Sequence, residues 1–132
     1  MNMITGYIRS DRPHIPIAIG QGQNVQEIVA LVDTGFTGEL KLSPELAKDL
    51  GITTKEVQDV MVGNGENAPH GVGRAYVSMD GIKREVSVFV GNGPTVIGIK
   101  LLRNFGFKLT VLPTENIFYL EGLDEDPFNT EE

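Results

Sequence analysis

The sequence predicts one all-β domain, built as a closed or partly open antiparallel β-barrel with one or two short helices. Its 132 residues contain no cysteine, and a chain of this length can bury a core without disulfides or metal. About nine short segments alternate apolar and polar residues between turns rich in Gly, Pro and Asn, a pattern typical of antiparallel strands. Strands and helices do not alternate regularly, which argues against a parallel α/β sheet.

The expected strands follow from these alternating segments. Pro16 favours an edge position for the second strand, because proline cannot donate to a ladder. In chain order the strands are Ile4 to Arg9, Ile15 to Ile19, Val25 to Val32, Lys55 to Val62, Val72 to Met79, Lys83 to Val90, a short one from Thr95 through Gly98, Lys108 to Leu112 and Asn116 to Leu120.

Two short helices and several turns connect these strands. Ser43 can cap a helix that has Pro44 at its first position and ends before Gly51, and a second helical turn ends at Gly106. Asp80-Gly81 predicts a tight hairpin. The segment 63–71 holds three glycines, two asparagines and a proline, so we expect a turn or an open loop there.

Charge and composition exclude several classes of function. The net charge is −7, with 18 acidic against 11 basic residues, which argues against nucleic-acid binding. Six of the acids lie within residues 121–132, so we expect a solvated acidic tail there and a folded domain over residues 1–120. Without a signal-peptide pattern or a membrane-spanning apolar run, the expected location is the cytoplasm and no membrane contact is expected.

Histidine positions favour no metal site. His14 and His70 lie 56 positions apart, outside the spacings typical of metal ligands. We therefore expect both to be exposed loop residues, and we expect neither a metal nor another cofactor.

One carboxylate stands out because of what precedes it. Five apolar residues, Ile28 to Val32, lead directly to Asp33, which enters a turn of small and hydroxylated residues ending at Gly38. An ionised Asp that loses water must be hydrogen-bonded or paired, and Thr34 to Gly38 supply hydroxyls and backbone N–H groups. This arrangement indicates that Asp33 is a reactive group.

A second motif lies further along the chain. Asp-Thr-Gly alone is weak evidence, because three specified residues arise by chance in roughly a few per cent of chains of this length. Val96-Ile97-Gly98 followed by Leu101-Leu102 adds a second apolar-Gly segment about sixty residues later. With Leu31-Val32-Asp33-Thr34-Gly35, this segment resembles the retropepsin-like aspartic proteases, the single-domain relatives of pepsin found in retroviruses, bacteria and archaea. The glycine-rich Val62-Gly63-Asn64-Gly65 falls where that family has its flap. The resemblance covers about residues 15 to 120.

The resemblance implies a role for each matching residue. Asp33 would be the catalytic carboxylate, Thr34 would hold two catalytic loops together, and Gly35 would let backbone and substrate approach. Because the chain has one Asp-Thr-Gly, a second copy must supply the other carboxylate, so the active form would be a homodimer acting on peptides. The expected substrate contacts are Phe36, Thr37, Val62, Gly63, Asn64, Gly65, Ile97 and Gly98.

Three departures from the retroviral pattern leave other functions open. Phe36 stands where those enzymes usually have Ala. Thr37 and Ile99 replace the two members of an ion pair, so no orphan charge remains. The first hypothesis is a homodimeric aspartic endopeptidase. The second is a non-proteolytic module that binds peptides or partners on the same fold, and the third is a purely structural β-barrel subunit.

Overall fold

The computed structural model describes residues 3–61 and 67–122, and these ranges contain ten strands and two α-helices. The strands are β1 (Met3–Arg9), β2 (Arg12–Gln21), β3 (Asn24–Val32), β4 (Leu40–Leu42), β5 (Glu56–Met61), β6 (Asn67–Met79), β7 (Ile82–Val90), β8 (Val96–Ile97), β9 (Phe107–Leu112) and β10 (Ile117–Gly122). The helices are α1 (Pro44–Asp49), α2 (Ile99–Phe105) and a 3-10 helix at Pro113–Glu115.

The strands form a closed barrel, as the sequence predicts. Six of them follow one another in the order β6-β7-β4-β8-β3-β2, and the pairing of β2 with β6 closes the ring. β1, β10 and β9 extend the sheet from β2, and β5 extends it from β6. Closure removes free strand edges from the barrel itself.

Two strand pairs differ from the antiparallel expectation. β8 pairs in parallel with β3, and β4 pairs in parallel with β7. β8 lies between β3 and β4, so the loop of residues 33–39 must pass over the end of β8 to join its two neighbours. The sequence analysis missed β4, because its three residues are too short to show an alternating pattern.

The barrel interior holds the main apolar core. The barrel strands β2, β3, β6 and β7 contribute alternate residues, as the two-residue period of a strand requires. Fully buried members include Ile15, Ile17, Ile19, Ala30, Leu40, Leu42, Ala75, Val77, Val86, Val88 and Ile97. Leu50, Leu101 and Phe105 come from or flank the two helices and join the same cluster.

Local features confirm the predicted turns and caps. The Ser43 hydroxyl accepts from the N–H of Leu46 at 3.2 Å, and Gly51 follows α1 with a φ of +75°. Asp80 and Gly81 have φ angles of 50° and 80°, which fit the predicted tight hairpin between β6 and β7.

Pro16 lies on an internal strand, so the predicted edge position of that strand is wrong. Pairing of β2 with β1 ends at His14, and pairing with β6 begins at Ala18. Pro16 therefore occupies the gap between two partners, where its missing donor removes no ladder hydrogen bond.

The histidine expectation is also wrong. His70 lies in β6 and is only 9% exposed, whereas His14 lies in β2 and stacks on Tyr7 with ring centroids 5.1 Å apart. The predicted loop 63–71 is in part a strand, because β6 begins at Asn67. A strand that starts within a polar, glycine-rich segment lacks the alternating apolar pattern that predicts strands.

Two further predictions concern residues outside the described ranges. The glycine-rich segment of residues 62–66 and the acidic residues 123–132 are among them, while residues 121 and 122 belong to β10. Neither helix of the described part is long and apolar enough to cross a membrane.

Candidate active site

Asp33 lies at the point where β3 leaves the barrel. The preceding residue, Val32, pairs with Ile97 of β8, and the N–H of Asp33 donates to the carbonyl of Ile97 at 3.0 Å. The side chain of Asp33 is half-buried, while Thr34 and Gly35 are exposed. The end of β3 thus delivers the carboxylate to the surface, and the neighbouring strand β8 fixes its backbone.

The turn after Asp33 orients the carboxylate. The N–H of Gly35 donates to Asp33 Oδ1 at 2.8 Å, and the N–H of Phe36 donates to the Asp33 carbonyl at 3.2 Å. Within the part of the chain that the structure describes, Asp33 Oδ2 has no hydrogen-bond partner. A carboxylate held on one oxygen and free on the other can bind a water or a partner group.

A small apolar cluster supports the loop from below. Phe36 is 2% exposed, and its ring meets that of Phe89 edge-on with centroids 6.1 Å apart. Such edge-to-face contacts fix ring orientation as well as burying area. The other members of the cluster are Val60, Val72 and Val96, with Leu31 at its margin.

Gly98 passes under the loop at very close range. A Cβ at this position would lie 2.5 Å from the carbonyl oxygen of Gly38 and 2.6 Å from that of Phe36. Only glycine fits such a backbone approach. The structure thus brings Ile97 and Gly98, two of the expected substrate contacts, together with the Asp33 loop.

Thr37 lies on the exposed side of the loop and contacts Met61 at the end of β5. The predicted substrate contacts Val62, Gly63, Asn64 and Gly65 follow directly in the sequence, but they lie outside the described residues. Their place relative to Asp33 stays a prediction.

Three polar residues that were not predicted from the sequence lie at the end of the Asp33 loop, just after it in β4, or in contact with its end. Glu39 and Lys41 are 9% and 8% exposed, and Asn104 of α2 donates from Nδ2 to Glu39 Oε2 at 2.8 Å. Lys41 Nζ donates to the carbonyl of Asn92 at 2.7 Å, and burial lowers the pKa of this amine. The one local indication was that Lys41 lies between two apolar residues, Leu40 and Leu42, and this pattern is too short to predict a strand by itself.

The chemistry of the site is that of the half-buried Asp33 carboxylate, a group that can transfer a proton. No group of three or more His, Asp or Glu side chains in residues 3–61 and 67–122 is arranged to hold a metal ion. Asp33 alone can accept or donate one proton, so acid and base roles in one reaction require a second group.

Comparisons with known proteins agree on one family. A family model described as aspartyl protease matches residues 15–112. A crystal structure of a retropepsin-like aspartic protease from Rickettsia conorii is similar with a TM-score of 0.62 at 21% identity, covering 90% of this chain and 89% of that one. EIAV protease in complex with the inhibitor HBY-793 has a TM-score of 0.59 at 19% identity, covering 80% of this chain and 98% of that one. No curated protein matches the sequence.

The closed barrel and the carboxylate on its loop define a retropepsin-like aspartic protease. The family model covers most of the sequence, and the chain therefore belongs to the aspartyl protease family. It is an aspartic-type peptidase, which confirms the fold class and the enzyme class predicted from the sequence.

Proposed function

We propose that the protein is a homodimeric aspartic endopeptidase in which Asp33 of each subunit supplies one half of the catalytic pair. The observation that carries this proposal is the half-buried Asp33 carboxylate, held on one oxygen by Gly35 and free on the other. The sequence has one Asp-Thr-Gly. A symmetric dimer with this loop on its axis would bring two identical carboxylates together.

Two such carboxylates supply both the general base and the general acid of a hydrolysis. At a separation of about 3 Å both cannot ionise cheaply, so the pair shares one proton and titrates in two separate steps. The charged Asp33 would take a proton from a bound water as the water attacks the peptide carbonyl. The neutral Asp33 would donate its proton to the carbonyl oxygen.

The neighbouring residues have roles that match their positions. Thr34 is exposed beside Asp33, which leaves its hydroxyl available for a bond to the partner's loop across the axis. Ile97 and Gly98 lie against the other side of the Asp33 loop, where Ile97 accepts from the Asp33 N–H and Gly98 approaches the loop carbonyls. We assign residues 62–65, which lie outside the described ranges, to a flap over an extended peptide, because the family resemblance places the flap at this glycine-rich segment.

The burial of Phe36 favours proteolysis over a binding-only module. A large ring beside Asp33 would obstruct a substrate if it pointed outward. Its ring is instead 2% exposed and packed against Phe89, so any contact of Phe36 with a substrate would come from its backbone. The carboxylate is therefore open to a peptide.

A peptide-cleavage assay tests the activity. Purified protein is incubated with a mixed peptide library between about pH 3 and 7, where a carboxyl pair changes protonation. The D33N variant should lose all cleavage. The same substitution at the exposed Asp49 of α1 should leave cleavage unchanged. Cleavage by D33N, or none by the wild type, would reject the proposed activity.

A mixing experiment tests whether two subunits share the site. Wild-type and D33N chains are combined in equal amounts at constant total concentration and allowed to exchange. If each site needs two Asp33 side chains, activity falls to about one quarter of the pure wild type. If each chain acts alone, activity falls to about half, which would contradict the shared site.

A further inference from the structure

Glu39 is a buried carboxylate at the end of the Asp33 loop. Its side chain is 9% exposed, next to the fully buried Leu40. A carboxylate in such a place requires hydrogen bonds to replace its lost water. A leucine or valine would fill the same space without that requirement, so the glutamate needs another explanation.

Two neutral donors satisfy this carboxylate. Oε1 accepts from the backbone N–H of Ser87 on β7 at 2.9 Å, and Oε2 accepts from Asn104 Nδ2 on α2 at 2.8 Å. The second hydrogen of Asn104 Nδ2 goes to the carbonyl of Glu85 at 3.2 Å. No ion pair of Glu39 occurs among the described residues. Bonds of this kind hold a carboxylate by direction as well as by charge.

The backbone of Glu39 extends these contacts toward Asp33. The carbonyl of Glu39 accepts from the N–H of Gly98 at 3.1 Å, and the carbonyl of Ile97 accepts from the N–H of Asp33 at 3.0 Å. Both ends of the loop are therefore bound to two consecutive residues, Ile97 at the end of β8 and Gly98, which precedes α2. Gly98 also lies very close to the carbonyl oxygens of Phe36 and Gly38 within the loop, so that Gly98 and the loop cannot shift independently of each other.

We infer that Glu39 is a positioning residue, which ties the Asp33 loop to β7 and α2 and so sets where the Asp33 carboxylate lies. This inference rests on the proposed catalytic role of Asp33. Glu39 takes no part in proton transfer. It acts through Gly98 and Ile97, and a displacement of about 1 Å at the reacting group is enough to slow a reaction about a hundredfold.

The test exchanges donor and acceptor between Glu39 and Asn104. In E39Q the new amide faces the Asn104 amide, and in N104D two carboxylates face each other. The double variant E39Q/N104D restores one donor–acceptor pair, although it leaves the Glu85 carbonyl without its donor. E85Q is the matched control, because Glu85 carries an exposed carboxylate that pairs only with exposed Arg74.

Two measurements separate positioning from general support of the fold. We expect E39Q and N104D each to lower kcat by roughly ten- to a hundredfold with KM within about twofold, because the loss falls on the reacting geometry. The double variant should recover part of kcat, and E85Q should match the wild type. The backbone amide NMR signals of Asp33 and Gly35 should shift in both single variants and return toward wild type in the double.

The outcomes are distinguishable. If E39Q lowers only the melting temperature, with kcat and the two amide signals unchanged, Glu39 merely supports the fold and the inference is wrong. The inference is equally overturned if the double variant recovers neither kcat nor the amide signals. If D33N still cleaves peptides, the proposed catalytic role of Asp33 fails, while the amide signals still report whether Glu39 positions the loop.

Discussion

Thr37 and Met61 hold each other by two reciprocal hydrogen bonds. The N–H of Thr37 donates to the Met61 carbonyl at 3.2 Å, and the Met61 N–H donates to the Thr37 hydroxyl at 3.1 Å. One bond uses only backbone, and the other depends on the side chain. The pair joins the Asp33 loop to β5, so these two segments are fixed relative to each other at this point.

Replacing Thr37 should separate the hydroxyl from the backbone contribution. T37V keeps the branched shape but leaves the Met61 N–H without its acceptor, so we expect the free energy of unfolding to fall by about 1 kcal/mol. T37S keeps the hydroxyl and should stay within about 0.5 kcal/mol of the wild type. Urea denaturation followed by circular dichroism measures both. Equal stability of T37V and T37S would show that this bond contributes nothing.

Replacing two glycines of the site by alanine should have different effects, with a loss of stability at one position and a loss of activity at the other. A methyl group at Gly98 would meet two backbone oxygens at 2.5 and 2.6 Å, so G98A should lower the free energy of unfolding by about 3 kcal/mol. A methyl group at Gly35 would meet only Asp33 Oδ1, at 3.2 Å. We expect G35A to fold normally and to cleave peptides at least about tenfold more slowly, because the carboxylate must move.

Thermal unfolding and peptide cleavage, measured on both glycine variants, decide this prediction. A G98A protein as stable as the wild type would show that the loop can shift without cost. A G35A protein with full activity would show that the position of Asp33 Oδ1 tolerates displacement.

The edge-to-face pair of Phe36 and Phe89 should contribute beyond the area that it buries. F36L and F89L each lose a ring from the small cluster under the loop, and each should cost about 1 kcal/mol or more. The double variant should cost less than the sum, with a coupling of about 1 kcal/mol. Denaturant unfolding of the four proteins gives the coupling. Strict additivity would mean that the two rings do not interact specifically.

The sequence predicts the strands of the barrel well, because their alternating pattern and their turn residues are local. Asp33 could be singled out for the same reason: five apolar residues lead into a polar turn. This motif and Val96-Ile97-Gly98 are considered together only because both occur in the family that the sequence resembles. Their spatial contact depends on β8 lying between β3 and β4, which no local pattern encodes.

The buried polar residues show where sequence reasoning stops. Glu and Lys are mostly exposed in proteins and His is intermediate, yet Glu39, Lys41 and His70 are each less than a tenth exposed here. Glu39 is bonded to residues 48 and 65 positions away, and Lys41 to one 51 positions away. Contacts over such separations follow from the closed barrel and could not be inferred from neighbouring residues.

Lys41 should make stability depend on pH in the alkaline range. Burial lowers the pKa of its amine below the ordinary value of 10.5, so the native protein releases this proton at lower pH than the unfolded chain does. Between the two pKa values the unfolded state binds more protons, and the free energy of unfolding therefore rises with pH. Below the lowered pKa both states are protonated and the penalty for burying the charge is fully present.

The K41M variant removes this dependence while keeping a long apolar side chain. We expect the stability of the wild type relative to K41M to rise with pH from the lowered pKa of Lys41 up to about 10.5, since both states of K41M lack the proton. Near pH 10.5 the wild type should be more stable than K41M by about 1 kcal/mol, because the Lys41 amine still donates a hydrogen bond to the Asn92 carbonyl. K48M, at an exposed position of α1, is the control and should run parallel to the wild type. Denaturant unfolding at successive pH values measures the three curves, and parallel curves for K41M and the wild type would contradict a lowered pKa of Lys41.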